Sequence, residues 1–110
     1  FRHDPQDGAE TLVISYGITS RAVGVAVREA RAKGARVSSL VLQTLYPVPE
    51  RALRAAMRGM RRIVVPEMNM GQYRYEIERL APRDTEVVGV NRMDTTLLSP
   101  SQILHEGALA

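Results

Sequence analysis

Residues 11–34 read TLVISYGITSRAVGVAVREARAKG. The apolar run Leu12-Val13-Ile14 is continuous rather than alternating, which suits a strand covered on both faces, as in a parallel sheet. Gly17 then allows a turn, and Thr19 or Ser20 can cap a helix. Val23, Ala26, Val27 and Ala30 fall at i, i+3, i+4 and i+7 on one apolar face, and Gly34 supplies a left-handed stop. A strand followed by a helix of this kind is a βα unit, and it sets the rhythm of the chain.

That rhythm repeats downstream. Val37 to Leu42 reads as a second strand; Ser38 and Ser39 make it less uniformly apolar and place it nearer a sheet edge. Leu45-Tyr46-Pro47-Val48-Pro49 is extended because residues before proline avoid the helical region, and Pro49 suits the first turn of a helix with Glu50 behind it. Leu53, Ala56, Met57 and Met60 form that helix's buried stripe. Ile63-Val64-Val65 is a third strand. A third helix from about Met70 to Leu80 buries Tyr73, Ile77 and Leu80, and Pro82 ends it. Val87-Val88-Gly89-Val90 is a fourth strand, and Ser99-Pro100 opens a short last helix containing Ile103 and Leu104.

Strands alternating with helices predict an α/β fold, a three-layer, doubly wound, mainly parallel sheet. Right-handed crossovers around a central first strand predict the order second, first, third, fourth (2-1-3-4), with a switch point between the first and third strands. Ligands or partners of such sheets meet the carboxyl ends of the strands there. Those ends are Tyr16-Gly17-Ile18-Thr19 and the segment from Pro66 through Gln72.

Composition bounds what this sheet could do. At 110 residues, 45% hydrophobic, the chain is long enough for one domain that buries about 65% of its unfolded surface. Residues 1–10 are polar with a proline and a glycine, and read as a linker or truncated boundary ahead of a domain spanning 11–110. The chain has no cysteine, which excludes disulfides, thiolate-held clusters and cysteine nucleophiles within it and fits a cytoplasmic protein. No apolar run approaches the ~20 residues of a membrane span. The net charge of +3 is the excess of 15 basic residues, nearly all arginine, over 12 acidic ones. Arg28 and Arg31 flank Glu29, Arg74 precedes Glu78 by four, and Arg79 follows Glu76 by three, the mixed-sign spacing of solvated helix faces. Arg51, Arg54, Arg58, Arg61 and Arg62 form a one-sign cluster. With few aromatics beside it and no recognised binding motif, it points to a solvated or protein-docking face rather than nucleic acid.

No complete catalytic constellation is present. His3 and His105 lack a partnered carboxylate or a second histidine nearby in sequence and read as surface residues. The turn YGITS has one glycine where a dinucleotide fingerprint needs three. Ser15, Ser20, Ser38 and Ser39 are better explained as strand or cap residues than as nucleophiles. The densest chemistry is VVPEMNMGQ (64–72). Glu67 faces a helix N-terminus, whose dipole favours its anion, so it would be a poor proton donor. Asn69 and Gln72 have capping-box spacing. Met68 and Met70 are adaptable apolar fillers, and Gly71 permits close approach of another backbone. Catalytic, cofactor-binding and metal-ligating residues are all expected to be absent from this chain. The expected site is an interaction surface at the switch point made by Tyr16, Gly17, Arg21, Glu67, Met68, Asn69, Met70 and Gln72.

The successions YGITSRA (16–22), TLYPVPE (44–50), VVPEMNMGQ (64–72) and LLSPSQI (97–103) strongly resemble the C-terminal, transketolase-C-like domain of the α subunit of 2-oxoacid:ferredoxin oxidoreductases. The resemblance runs from about Leu12 to Leu104. EMNMGQ is its most specific part and looks like the 2-oxoglutarate and branched-chain form rather than the pyruvate form; YPVP matches the family's P-x-P element. The chain departs at Met93-Asp94-Thr95-Thr96, where relatives usually have a glycine and where Asp94 could take the left-handed conformation instead. The resemblance implies an enzyme that decarboxylates a 2-oxoacid on thiamine diphosphate, with magnesium, iron–sulfur clusters, ferredoxin and coenzyme A. In the family the diphosphate, magnesium and clusters are held largely by the β subunit or other domains and the thiamine ring by the α subunit's N-terminal domain, so the resemblance implies that this domain stabilises the α chain and positions its partners. The family fold also carries an antiparallel edge strand ahead of the first parallel strand, for which the start at Phe1 leaves little room. Two other readings stay open. A free-standing flavodoxin-like module would bind a nucleotide or flavin at the switch point and be stabilised by it; a non-catalytic adaptor would not.

Overall fold

The computed structural model describes residues 2–16, 19–43, 48–67 and 72–91. In chain order the elements are β1 (Arg2–Asp4), β2 (Thr11–Tyr16), α1 (Thr19–Ala32), β3 (Val37–Leu42), α2 (Glu50–Met57), β4 (Arg62–Glu67), α3 (Gln72–Leu80) and β5 (Glu86–Asn91). They build one five-stranded sheet in the order β1-β3-β2-β4-β5. β2, β3, β4 and β5 pair in parallel, so the 2-1-3-4 order and the adjacency of the first and third apolar strands are both observed.

The alternation of side chains along each strand sorts the core into two layers. Leu12, Ile14, Leu40, Leu42, Ile63 and Val65 point to the face covered by α2 and α3, where Leu53, Met57, Tyr73, Ile77 and Leu80 meet them. Val13, Val37 and Val64 point the other way, against Val23, Ala26, Val27 and Ala30 of α1. Burial on both faces is why the strands are continuous apolar runs. α1 closes as its sequence predicts. The N–H of Ala35 donates to the carbonyl of Ala30 and that of Gly34 to Arg31, both at 3.0 Å, with Gly34 at φ 95°. This is the paired bonding of a Schellman stop, which needs the left-handed residue.

Four expectations need correction or placement. The polar segment before residue 11 does contain the edge strand: β1 pairs antiparallel with β3, Arg2 opposite Val41 and Asp4 opposite Ser39. Three residues suffice, because Arg31 Nη1 donates to Asp4 Oδ2 at 3.1 Å while Nε and Nη2 of the same guanidinium donate to the Val37 carbonyl at 3.0 and 2.7 Å. Arg31 therefore clamps the edge rather than standing in solvent beside Glu29. Gln6 adds to the clamp, its N–H donating to Ser38 Oγ at 2.9 Å and its side-chain carbonyl accepting from Val37 N–H at 2.7 Å. Second, Thr19 and Ser20 are the first two helical residues of α1 rather than residues ahead of it. Third, α2 ends at Met57, so Met60 packs against the core from beyond the helix, past Gly59 at φ 76°. Fourth, α3 is described from Gln72. Asn69, the Met93–Thr96 turn and the last helix lie outside the described residues.

The arginine cluster is partly neutralised. Arg54 lies 4.0 Å from Glu50, Arg61 3.5 Å from Glu10 and Arg62 2.9 Å from Glu86. The two helix-face pairs read from spacing are present, Arg74 with Glu78 at 3.2 Å and Arg79 with Glu76 at 3.0 Å. Arg79 also reaches Glu50 at 3.6 Å, tying α3 to α2, and the hydrogen bond that it donates to Glu76 pushes its pKa further up.

Candidate interaction surface at the switch point

The chain leaves β2 through α1 toward β3 and returns through α2 to β4 on the other side of β2, so the switch point lies between β2 and β4. The ladder there is incomplete. β2 pairs with β3 along its full length to Tyr16 opposite Leu42, and β4 pairs with β5 as far as Glu67 opposite Asn91, but β2 and β4 pair only from Thr11–Arg62 to Val13–Val64. Pro66 supplies the physical reason. It has no N–H to donate, and proline is tolerated in a sheet only where a neighbour's ladder is not needed. Beyond Val13 and Val64 no β2–β4 pair is described, and this end of the two central strands is the seam of the switch point.

Two features line that seam. On the α2/α3 side, the half-buried Tyr16 ring lies 5.6 Å from the ring of Tyr73 at an interplanar angle of 60°, a tilted contact of the favourable kind. On the α1 side, by strand alternation, stands Ser15. It is fully buried, and its Oγ has no hydrogen-bond partner among the described residues. A buried hydroxyl without a partner costs about 1–3 kcal/mol. Ser15→Ala is therefore expected to raise the free energy of unfolding by about 1 kcal/mol in urea denaturation; a loss of similar size would show that the hydroxyl is bonded in solution.

Of the residues expected to form the surface, Tyr16 closes β2, Glu67 closes β4, and Gln72 opens α3. The fold brings the ends of β2 and β4 to neighbouring positions and sets α3 against Tyr16 through Tyr73. Arg21 is exposed in the first turn of α1 and makes no ion pair with a described carboxylate. Gly17, Met68, Asn69 and Met70 lie outside the described residues. Ser15, expected only as a strand residue, and Tyr73, expected only in the buried stripe of α3, join the residues of this surface; the sequence signal that marks Ser15 is Pro66 inside an interior strand. Among the described residues no three His, Asp or Glu side chains converge as a metal would require, and no helix is long and apolar enough to cross a membrane.

Comparison with known proteins gives this geometry a family. Residues 9–103 match the model of the pyruvate:ferredoxin oxidoreductase core domain II. A 2-oxoglutarate synthase subunit KorA of Methanothermobacter marburgensis is 38% identical over 100 residues, covering 91% of this chain and 27% of the relative. A ketoisovalerate oxidoreductase subunit VorB of Methanothermobacter thermautotrophicus is also 38% identical over 100 residues, covering 91% of this chain and 28% of the relative. The chain thus spans about a quarter of the length of these relatives. In fold it is similar to a 2-oxoglutarate:ferredoxin oxidoreductase from Magnetococcus marinus, solved with 2-oxoglutarate, coenzyme A and succinyl-CoA bound. That match has a TM-score of 0.84 at 21% identity and covers 97% of this chain and 19% of the other. A split-gene transketolase matches at a TM-score of 0.67 and 20% identity, over 99% of this chain and 38% of the other.

Proposed function

Because the chain belongs to the pyruvate:ferredoxin oxidoreductase core domain II family, we propose that it is the C-terminal domain of a 2-oxoacid:ferredoxin oxidoreductase α subunit, with a structural and docking role. The complete enzyme would decarboxylate 2-oxoglutarate oxidatively to succinyl-CoA, with thiamine diphosphate, magnesium and an iron–sulfur cluster as cofactors and ferredoxin as electron acceptor. The observation that carries this reading is the 38% identity with 2-oxoglutarate synthase subunits over nine-tenths of the chain. A branched-chain oxoacid is the second reading, favoured by equal identity to a ketoisovalerate oxidoreductase subunit. Turnover of the complete enzyme with each oxoacid separates the two.

Within that enzyme the chain's own part is contact. The surface formed by Tyr16, Gly17, Arg21, Glu67, Met68, Asn69, Met70 and Gln72 packs against the thiamine-binding part of the α subunit or against the β subunit. Methionines supply adaptable apolar area, glycines permit close approach, and Glu67 and Gln72 offer hydrogen-bonding groups to a partner. Arg21, at the start of a helix where the dipole disfavours a cation, is better placed to reach an external acid than to stabilise α1. We assign none of the cofactors to this chain.

Charge reversal tests the docking role. Glu67→Lys in the complete enzyme is expected to weaken subunit association by about tenfold or more, because an interfacial carboxylate becomes a like-charge or unpaired contact. The isolated chain should lose less than about 1 kcal/mol of stability. Sedimentation velocity of the mixed subunits reads the first and urea denaturation the second. Unaltered association with lost turnover would replace docking by a direct catalytic role.

A further inference from the structure

Gly24 sits in the interior of α1, exposed, and its φ is not in the left-handed region. A Cβ built there would meet nothing within 4 Å. Neither backbone conformation nor packing calls for a glycine, although glycine inside a helix costs about 1 kcal/mol relative to alanine. What Gly24 does is line a groove of about 450 Å³ between α1 and the β1–β3 edge. That volume falls in the range of small-molecule sites.

The lining is amphiphilic. Val23 and Val27 of α1 and Val41 of β3 give it an apolar floor, and Arg2 of β1 and Arg28 of α1 stand at its margin. Its carboxylate, Asp4, is held by Arg31 at 3.1 Å. Arg2 and Arg28 make no ion pair or hydrogen bond with the other described residues. The groove therefore carries two uncommitted guanidiniums above valine side chains, at the one place on α1 where the side chain that would narrow it is missing.

We propose that this groove binds a small organic anion, a carboxylate or phosphate head on a short apolar stem. The head group lies between Arg2 and Arg28, where guanidinium forks suit both anions. The stem lies along Val27 and Val41, passing over Gly24 close to the helix backbone. This site is separate from the switch-point surface and does not rest on the docking role.

The test titrates the chain with hexanoate, hexyl phosphate and inorganic phosphate at constant ionic strength, following amide resonances by NMR. The expected result is saturable shifts at Val23, Gly24, Val27, Ser39 and Val41 with one or both of the stemmed anions, and the tighter of the two identifies the head group. Inorganic phosphate should bind at least about tenfold more weakly, since it leaves the valine floor uncovered. Arg28→Gln should weaken binding by about tenfold. Gly24→Leu should raise the melting temperature and abolish binding, so loss of binding there cannot be loss of fold; Gly24→Ala should raise it while leaving the groove open. The proposal is overturned if neither stemmed anion gives saturable shifts, if inorganic phosphate binds as tightly as they do, or if Gly24→Leu binds unchanged.

Discussion

Ile77→Ala is expected to lower the free energy of unfolding by about 2–5 kcal/mol, the largest single-site loss we foresee for this chain. Ile77 is 0% exposed, and with Tyr73 and Leu80 it is how α3 holds the sheet. These three residues form one stripe, so removing the middle one leaves a cavity that its neighbours cannot close without moving the helix. Urea denaturation should show a lower midpoint with an unchanged slope. Ile77→Val, which removes one methylene, should cost about 0.5–1.5 kcal/mol. A loss below 1 kcal/mol for the alanine variant would mean that α3 is not seated as described. The consequence reaches the switch point, because α3 carries Tyr73 against Tyr16 and begins at Gln72. A loosened α3 would degrade the docking surface without touching any residue in it.

Arg31→Met should cost about 2–3 kcal/mol, an effect unusual for a residue on a helix's last turn. The methionine keeps most of the apolar stem and removes the guanidinium. Lost with it are two charge-assisted hydrogen bonds to the Val37 carbonyl and the bond to Asp4. Val37 is 1% exposed, so its carbonyl has no ready supply of water in exchange. Arg31→Lys should rescue little, since one ammonium cannot span Val37 and Asp4 in the planar fork that the guanidinium provides. Hydrogen exchange gives the local signature: faster exchange along β1 and at its partners Ser39, Leu40 and Val41, with β4 and β5 unchanged. Uniform acceleration over the whole sheet would mean that β1 is not a separately held strand.

Apolar patterning determined the parallel sheet and the faces of its helices, and right-handed crossovers around a central first strand determined its order. Leu12-Val13-Ile14 and Ile63-Val64-Val65 are buried on both sides, so each is a continuous apolar run, short enough between turn residues to read as a strand. Val23, Ala26, Val27 and Ala30 could bury themselves only as one helical face, and Gly34 could be left-handed at no steric cost. Glu67 and Gln72 were legible as residues at strand and helix ends for the same reason. Other features depended on the tertiary structure because they join residues distant in the chain. Arg2-His3-Asp4 is exposed at all three positions and has no pattern to read; it is a strand only because β3 offers an open edge and Arg31, 27 residues on, clamps it there. Ser15 looks like any strand serine until Pro66 arrives opposite and interrupts the ladder beside it. Gly24 looks like a weak point in a helix until the groove beneath it is seen. Burial leaves a local trace in the order of side chains, whereas a hydrogen bond, a seam or a groove exists only once folding has set its two sides together.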